Sequence, residues 1–106
     1  MLNISVLCVG RLREQHYIAA FAEYEKRLKP YCKFTLTELS EDRLPQNPSP
    51  AEISAALARE AAELEKCIPN AAYTVAMCVE GGQLSSEDFS ALLQNCANTG
   101  RSHICF

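Results

Sequence analysis

Leu-Asn-Ile-Ser-Val-Leu-Cys-Val-Gly, residues 2–10, is a short apolar run that stops at a glycine. Such a run is typical of a strand that is buried on both faces of a parallel sheet. Strands of this kind need helices on both sides to cover them. The stretch therefore predicts an α/β fold, in which helices and strands alternate along the rest of the chain.

The next two segments continue this alternation. Residues 14–29 predict a helix, because aromatic and aliphatic residues recur there at helical spacing, and Pro30 ends it. Residues 33–39 alternate between polar and apolar and predict a second strand. The apolar positions of the helix are Tyr17, Ile18, Phe21, Tyr24 and Leu28.

Ser49 begins the second helix with three agreeing signals. A serine cap is followed by Pro50 at the first helical position and by Glu52 three residues after the cap. The polar, proline-broken segment 40–48 before it predicts a loop. The helix is expected to run to about Cys67, with an apolar stripe of Ile53, Leu57, Ala61, Leu64 and Ile68.

The last third of the chain repeats the pattern. Residues 73–79 predict a third strand, and Ser85 caps a third helix whose stripe is Phe89, Leu92, Leu93 and Cys96. Gly100 suits the left-handed residue that ends such a helix. Residues 103–106 begin a fourth strand, which we expect to lie unpaired and uncovered, exposing an edge and an apolar face.

The order β-α-β-α-β-α-β predicts a single α/β domain over residues 1–106, with a parallel sheet and helices on both faces. Ligands of such sheets bind at the carboxyl ends of the strands. The relevant residues are those that follow Val9, Leu39, Val79 and Phe106.

Composition limits the functional classes. The chain has 106 residues and a formal net charge of −3, but residues 1–33 hold six Lys or Arg against three Glu. A basic first third is compatible with a polyanion partner such as RNA. The amino terminus lacks the positive start of a signal peptide, and no apolar run approaches the ~18 residues of a membrane span. A cytoplasmic location without a membrane partner is therefore predicted.

The six cysteines predict neither a disulfide scaffold nor a metal site. No two of them have C-x₂-C spacing, and most lie in apolar periodic segments, which favours reduced core thiols. They are Cys8, Cys32, Cys67, Cys78, Cys96 and Cys105.

Few residues of the chain suggest a catalytic or ligand-binding role. The chain lacks a G-x-G-x-x-G fingerprint, a Walker A loop and a G-x-S-x-G elbow, and neither His16 nor His103 has an obvious catalytic partner. Glu80-Gly81-Gly82 follows the third strand, where glycines let a backbone approach a ligand closely or simply form a tight turn. Arg11 and Arg13 follow the first strand, where they could meet phosphates or face solvent.

Several segments together resemble a known family. These are Ile4 to Leu12, then Glu23-Tyr24-Glu25-Lys26-Arg27-Leu28 with Glu38-Leu39, and finally Gly81 with Leu84-Ser85-Ser86-Glu87. They resemble the RlmH (YbeA-type) family of SPOUT-class methyltransferases, and the resemblance extends from Leu2 to Phe106.

The resemblance implies a cytoplasmic homodimer that acts on the ribosome. Members transfer a methyl group from S-adenosylmethionine to N3 of a pseudouridine in 23S rRNA, and their cofactor loop and trefoil knot follow the fourth strand. The sequence stops at Phe106, so we expect a C-terminally truncated chain that lacks the knot and is inactive alone. The one cofactor contact that carries over is Met77, where the family has Leu; its implied role is apolar contact with the adenine-bearing end. No catalytic residue and no metal ligand carries over.

Two alternatives stay open. One is a non-catalytic module that contacts RNA or the ribosome through Arg11, Arg13 and the basic cluster of residues 26–33. The other is a small flavodoxin-like nucleotide binder, against which the missing phosphate-binding loop counts.

Overall fold

The computed structural model describes all residues, 1–106, and contains four strands and three helices. In chain order they are β1 (Leu2–Val9), α1 (Gln15–Leu28), β2 (Cys32–Leu39), α2 (Pro50–Cys67), β3 (Tyr73–Thr74), α3 (Ser86–Asn98) and β4 (His103–Cys105). The predicted order of elements is confirmed, and the boundaries of α1, α2 and β2 lie within one or two residues of those expected.

All four strands form one parallel sheet in the order β2-β1-β4-β3. Ile4 pairs with Phe34 on one side and with Ile104 on the other. The α/β fold predicted from the alternating pattern is thus confirmed, and its parallel strands bring their carboxyl ends to one edge of the sheet.

Helices cover both faces of the sheet, as predicted. Paired residues of neighbouring parallel strands point to the same face, so Phe34, Ile4 and Ile104 share one face, and Phe106 follows on it. Phe21 of α1 packs on Phe34 with ring centroids 6.0 Å apart. In α3, Phe89 packs on Phe106 at 5.8 Å. Helices α1 and α3 therefore lie on this face, and the right-handed crossover rule puts α2 on the other.

The expectation that the fourth strand is unpaired and uncovered is wrong. Strand β4 lies between β1 and β3, and its Ile104 and Cys105 are 0% and 1% exposed. The ladder continues past the strand, because the Phe106 N–H donates to the Ser5 carbonyl and the Leu7 N–H donates to the Phe106 carbonyl. The last strand in sequence is inserted into the middle of the sheet, which sequence order alone does not reveal.

The predicted helix ends are confirmed. The Ser49 hydroxyl accepts the Glu52 N–H, and the Glu52 carboxylate accepts the Ser49 N–H, which completes a capping box. The Ser85 hydroxyl accepts the Asp88 N–H in the same way. Gly100 has φ of +80°, a left-handed conformation that favours glycine.

Strand β3 is shorter than the predicted strand of residues 73–79. Only Tyr73 and Thr74 pair with β4, and one further bond runs from the Val75 N–H to the Cys105 carbonyl. The residues from Ala76 to Val79 have no neighbouring strand with which to form a ladder. Their β propensity is real, but propensity without a pairing partner does not make a strand.

Two of the predicted apolar stripes are poorly covered. On α1, only Phe21 is half-buried, and Tyr17 and Tyr24 are 55% and 63% exposed. On α2, the residue against the sheet is Ala56, whereas Leu57 is 60% exposed. The stripe of α3 is confirmed for three of its four residues, since Cys96 is buried and Leu92 and Leu93 are half-buried, whereas Phe89 is 39% exposed.

None of the three helices combines the length and the apolar character that crossing a membrane requires.

Candidate functional site

An apolar cleft of about 380 Å³ opens where β3 and β4 end. One wall is the segment after β3, and the other is formed by α3 together with Phe106. In this second wall, the rings of Phe89 and Phe106 pack on each other and tie α3 to the sheet. The lining residues are Val75, Ala76, Met77, Cys78, Gly81, Gly82, Leu84, Phe89, Leu92 and Phe106.

A tight turn forms the rim of this apolar cleft. The Gly81 N–H donates to the Cys78 carbonyl at 3.0 Å and closes a four-residue turn. A Cβ atom on Gly81 would lie 3.1 Å from that same carbonyl oxygen, so glycine is the residue the turn accommodates. Of the two interpretations of Glu80-Gly81-Gly82, the structure shows the turn, and it places that turn on the edge of a cleft.

Met77 lies in the wall of the apolar cleft and is 80% exposed. The neighbouring Val79 stands at the tip of the turn, outside the lining, and is fully exposed. The polarisable side chain of Met77 is therefore free to contact a ligand in the cleft.

The lining of the apolar cleft suits one end of S-adenosylmethionine and not the other. Apolar and aromatic side chains around Met77 and Phe89 suit the planar adenine of that molecule. The methionyl end carries a carboxylate and an ammonium group, and no charged side chain lines the cleft. The residues present therefore suit the adenine end, and they offer nothing that would pair with the charged end.

A second, polar cleft of about 430 Å³, here called the arginine cleft, opens where β1 and β2 end. It is lined by Gly10, Arg11, Arg13, Glu38, Leu39, Ser40, Glu41 and Arg43. The structure thus brings together Arg11 and Arg13, as the sequence predicts, and adds Arg43 from the loop between β2 and α2. Arg13 crosses to Glu41 in an ion pair of 3.0 Å, which joins the two loops.

Helix α2 holds the loop that carries Arg43. The Glu60 carboxylate accepts the Asp42 N–H at 2.9 Å, and Arg59 donates two hydrogen bonds to the Asp42 carboxylate. This contact with Asp42 raises the pKa of Arg59 above its usual value. Charge-assisted bonds of this kind restrict the loop, so the position of Arg43 beside the cleft is tied to the fold.

The basic cluster of residues 26–33 lies elsewhere. It spans the end of α1 and the start of β2, at the amino ends of the strands, whereas Arg11 follows the carboxyl end of β1. A strand of eight residues separates the two edges by roughly 26 Å. The sequence grouped these cations as one RNA contact, but the structure places them on opposite edges of the sheet.

Neither histidine has a catalytic arrangement. His103 Nε2 lies 2.8 Å from the Ser5 hydroxyl oxygen, but Ser5 is only 7% exposed and lies outside both clefts. His16 is exposed and packs on Tyr17. The Ser5–His103 contact satisfies polar atoms inside the sheet, which is a structural role.

The cysteines are all free thiols, and no group of three or more His, Cys, Asp or Glu residues lies close enough to hold a metal ion. Cys32, Cys96 and Cys105 are buried as core residues, while Cys78 is exposed in the apolar cleft. The expectation of core thiols holds for the first three and fails for Cys78.

Comparison with known proteins decides the family. A family model described as "Predicted SPOUT methyltransferase" matches residues 2–106. The chain belongs to the SPOUT methyltransferase family. This SPOUT chain is also similar to two curated proteins, each named "Ribosomal RNA large subunit methyltransferase H". It is 38% identical over 104 residues to the one from Moorella thermoacetica and 36% identical over 105 residues to the one from Clostridium botulinum strain Langeland.

These alignments cover 98% and 99% of the SPOUT chain, but 65% and 66% of the two relatives. The chain therefore spans about two thirds of the length of the curated relatives it matches. The resemblance inferred from the Glu23 to Leu28 and Leu84 to Glu87 segments is confirmed.

Sequence reasoning missed two parts of the site. Arg43 gives no local signal, because it is a single arginine in a polar loop, and only the pairing of β1 with β2 brings it beside Arg11. The sequence predicts Phe89 in the apolar stripe of α3 and Phe106 in the fourth strand, and their position in a cleft depends on the short β3. The signal that could have found them is the rule that parallel strands end at one edge.

Proposed function

We propose that this chain carries the donor-binding wall of a methyltransferase that acts on large-subunit ribosomal RNA. The observation that supports this most is the apolar cleft with its Gly81 turn, at the ligand-binding edge of the sheet in a chain of the SPOUT family. Two relatives at 36–38% identity are named as rRNA methyltransferases, which supports the same class of substrate.

The finer proposal follows the family resemblance. The methyl donor is S-adenosylmethionine, the acceptor is N3 of a pseudouridine in 23S rRNA, and the enzyme works as a cytoplasmic homodimer on the ribosome. S-Adenosylmethionine supplies an activated methyl group, while Met77 and Phe89 hold its adenine end by apolar contact. Excluding water from the adenine is what these side chains contribute to binding.

The 106-residue chain by itself is expected to bind the donor weakly and to transfer no methyl group. The apolar cleft contacts one end of the donor, and methyl transfer requires both substrates to be held in register. A dissociation constant near 1 mM, about −4 kcal/mol, is the expected scale for such one-ended binding.

Calorimetry with S-adenosylmethionine tests the donor site. Met77→Ala is expected to weaken binding about threefold or more, because it removes apolar contact with adenine. The matched control is Val79→Ala, two residues away at the tip of the turn, which should leave the affinity unchanged. Micromolar binding by the wild-type chain, or equal affinities for both variants, would overturn this assignment.

A further inference from the structure

The charges of the arginine cleft do not cancel. Of its two carboxylates, Glu41 is already paired with Arg13. Arg11 and Arg43 form no ion pair within 4.0 Å, although both line the cleft and both are exposed. Two unpaired guanidinium groups therefore face a single unpaired carboxylate, that of Glu38.

Other nearby carboxylates are occupied. Asp42 is bound by Arg59 at 2.6 Å, and Glu60 accepts the Asp42 N–H. The ion pair with Arg59 that restricts the loop thus also neutralises Asp42, the carboxylate next to Arg43 in the chain. An electropositive cleft remains, with one wall fixed by α2.

Gly10 leaves the floor of the arginine cleft open. Its φ of +86° turns the chain sharply after β1, and a Cβ atom placed there would meet nothing within 4 Å. The space above this residue is therefore accessible to a ligand. The Ser40 hydroxyl, which also lines the cleft, makes no hydrogen bond within the chain and is a further free donor.

Resting on the proposed function, we propose that the arginine cleft binds phosphodiester groups of the RNA substrate through Arg11 and Arg43. A guanidinium group matches the geometry of phosphate oxygens with two parallel hydrogen bonds. The cleft, at about 430 Å³, is far larger than one phosphate. It is also open, so a continuous RNA strand can lie across it.

The position of the arginine cleft favours RNA over a free anion. It lies at the end of β1 and β2, and the apolar cleft lies at the same edge, at the end of β4 and β3. Two strand spacings of ~4.8 Å separate them by about 10 Å across the sheet, and β1 runs three residues past the level of Phe106, which adds about 10 Å along the strands. One RNA strand held by Arg11 and Arg43 can therefore place a neighbouring nucleotide beside the methyl-donor cleft, which the basic cluster of residues 26–33 cannot do from the opposite edge.

Fluorescence anisotropy with a labelled 12-nucleotide single-stranded RNA, titrated between 25 and 200 mM KCl, tests the proposal. The double variant Arg11→Ala/Arg43→Ala should lower the slope of log K against log salt by about 1.4, because each lost phosphate contact on a single strand removes ~0.7. The matched control Lys26→Ala/Lys29→Ala removes the same charge from the opposite edge and should retain the wild-type slope.

The proposal is overturned if the two double variants lose equal slope, or if the arginine variant binds RNA like the wild type. It is also overturned if inorganic phosphate, at matched ionic strength, binds as tightly as the RNA. Calorimetry with S-adenosylmethionine on the arginine variant separates this proposal from the proposed function. Unchanged donor binding beside lost RNA binding supports both, whereas absent donor binding in wild type and variant alike contradicts only the donor site.

Discussion

Cys78 and Cys105 show how differently two residues of one type behave in this fold. Cys78 is exposed in the apolar cleft, whereas Cys105 is 1% exposed in the centre of the sheet. Burial raises the pKa of the Cys105 thiol above its ordinary value of 9.0, because the thiolate would lose its hydration. The thiolate is the reactive form of cysteine, so the burial of Cys105 and its raised pKa both slow its reaction.

Alkylation with iodoacetamide at pH 8, followed by peptide mass spectrometry, should therefore modify Cys78 at least tenfold faster than Cys105. Cys105 should react only when the sheet opens. The raised pKa also means that Cys105 contributes to stability below pH ~9, and that this contribution is lost as the pH rises through the folded-state pKa. Equal rates at pH 8 would contradict the central position of β4.

At the scale of elements, α1 packs loosely on the sheet. It has no buried residue, and its main contact with the sheet is Phe21 against Phe34. A helix of 14 residues is marginal on its own in water, so its stability depends on this one anchor.

Phe21→Ala is expected to lower the free energy of unfolding by about 1–2 kcal/mol, less than the 3–5 kcal/mol of a fully buried phenylalanine. The matched control is Tyr24→Ala on the same helix, where the ring is 63% exposed and the expected loss is about 0.5 kcal/mol. Urea unfolding followed by circular dichroism measures both. A larger loss for Tyr24→Ala than for Phe21→Ala would show that Phe21 is not the residue that anchors the helix.

The elements were predictable where their signals are local. The Ser49 capping box, Pro30 and Gly100 act through residues within one turn, and the structure confirms each of them. The length of β3 and the place of β4 depend on strand pairing between distant segments, which no local pattern encodes. The same holds for the arginine cleft, since Arg43 reaches Arg11 only through the pairing of β1 with β2.

The whole molecule exposes more surface than a compact protein of the same mass. Its accessible surface is 8361 Å², whereas a compact folded chain of 11.7 kDa exposes about 5,900 Å². Its radius of gyration is 16.1 Å against about 13 Å for a compact domain of this size. The apolar part of the excess includes Tyr17, Tyr24 and Leu57 on the helices.

We therefore expect the chain to associate with itself, or with a partner, in solution. The cause is the apolar surface of α1 and α2 rather than an open edge at β4. Sedimentation velocity between 5 and 200 µM should show an average mass that rises with concentration. A monodisperse monomer over that range, with a sharp reversible thermal transition, would contradict this expectation.

The central claim is that the ends of β3 and β4 form the methyl-donor site, and amide chemical-shift mapping tests it most directly. Titration of the ¹⁵N-labelled chain with S-adenosylmethionine to 5 mM should shift the amides of Met77, Gly81, Gly82, Phe89 and Phe106. The amides of Gly10 and Arg11 in the arginine cleft should remain in place. Shifts confined to the arginine cleft, or no shifts at 5 mM, would contradict the claim.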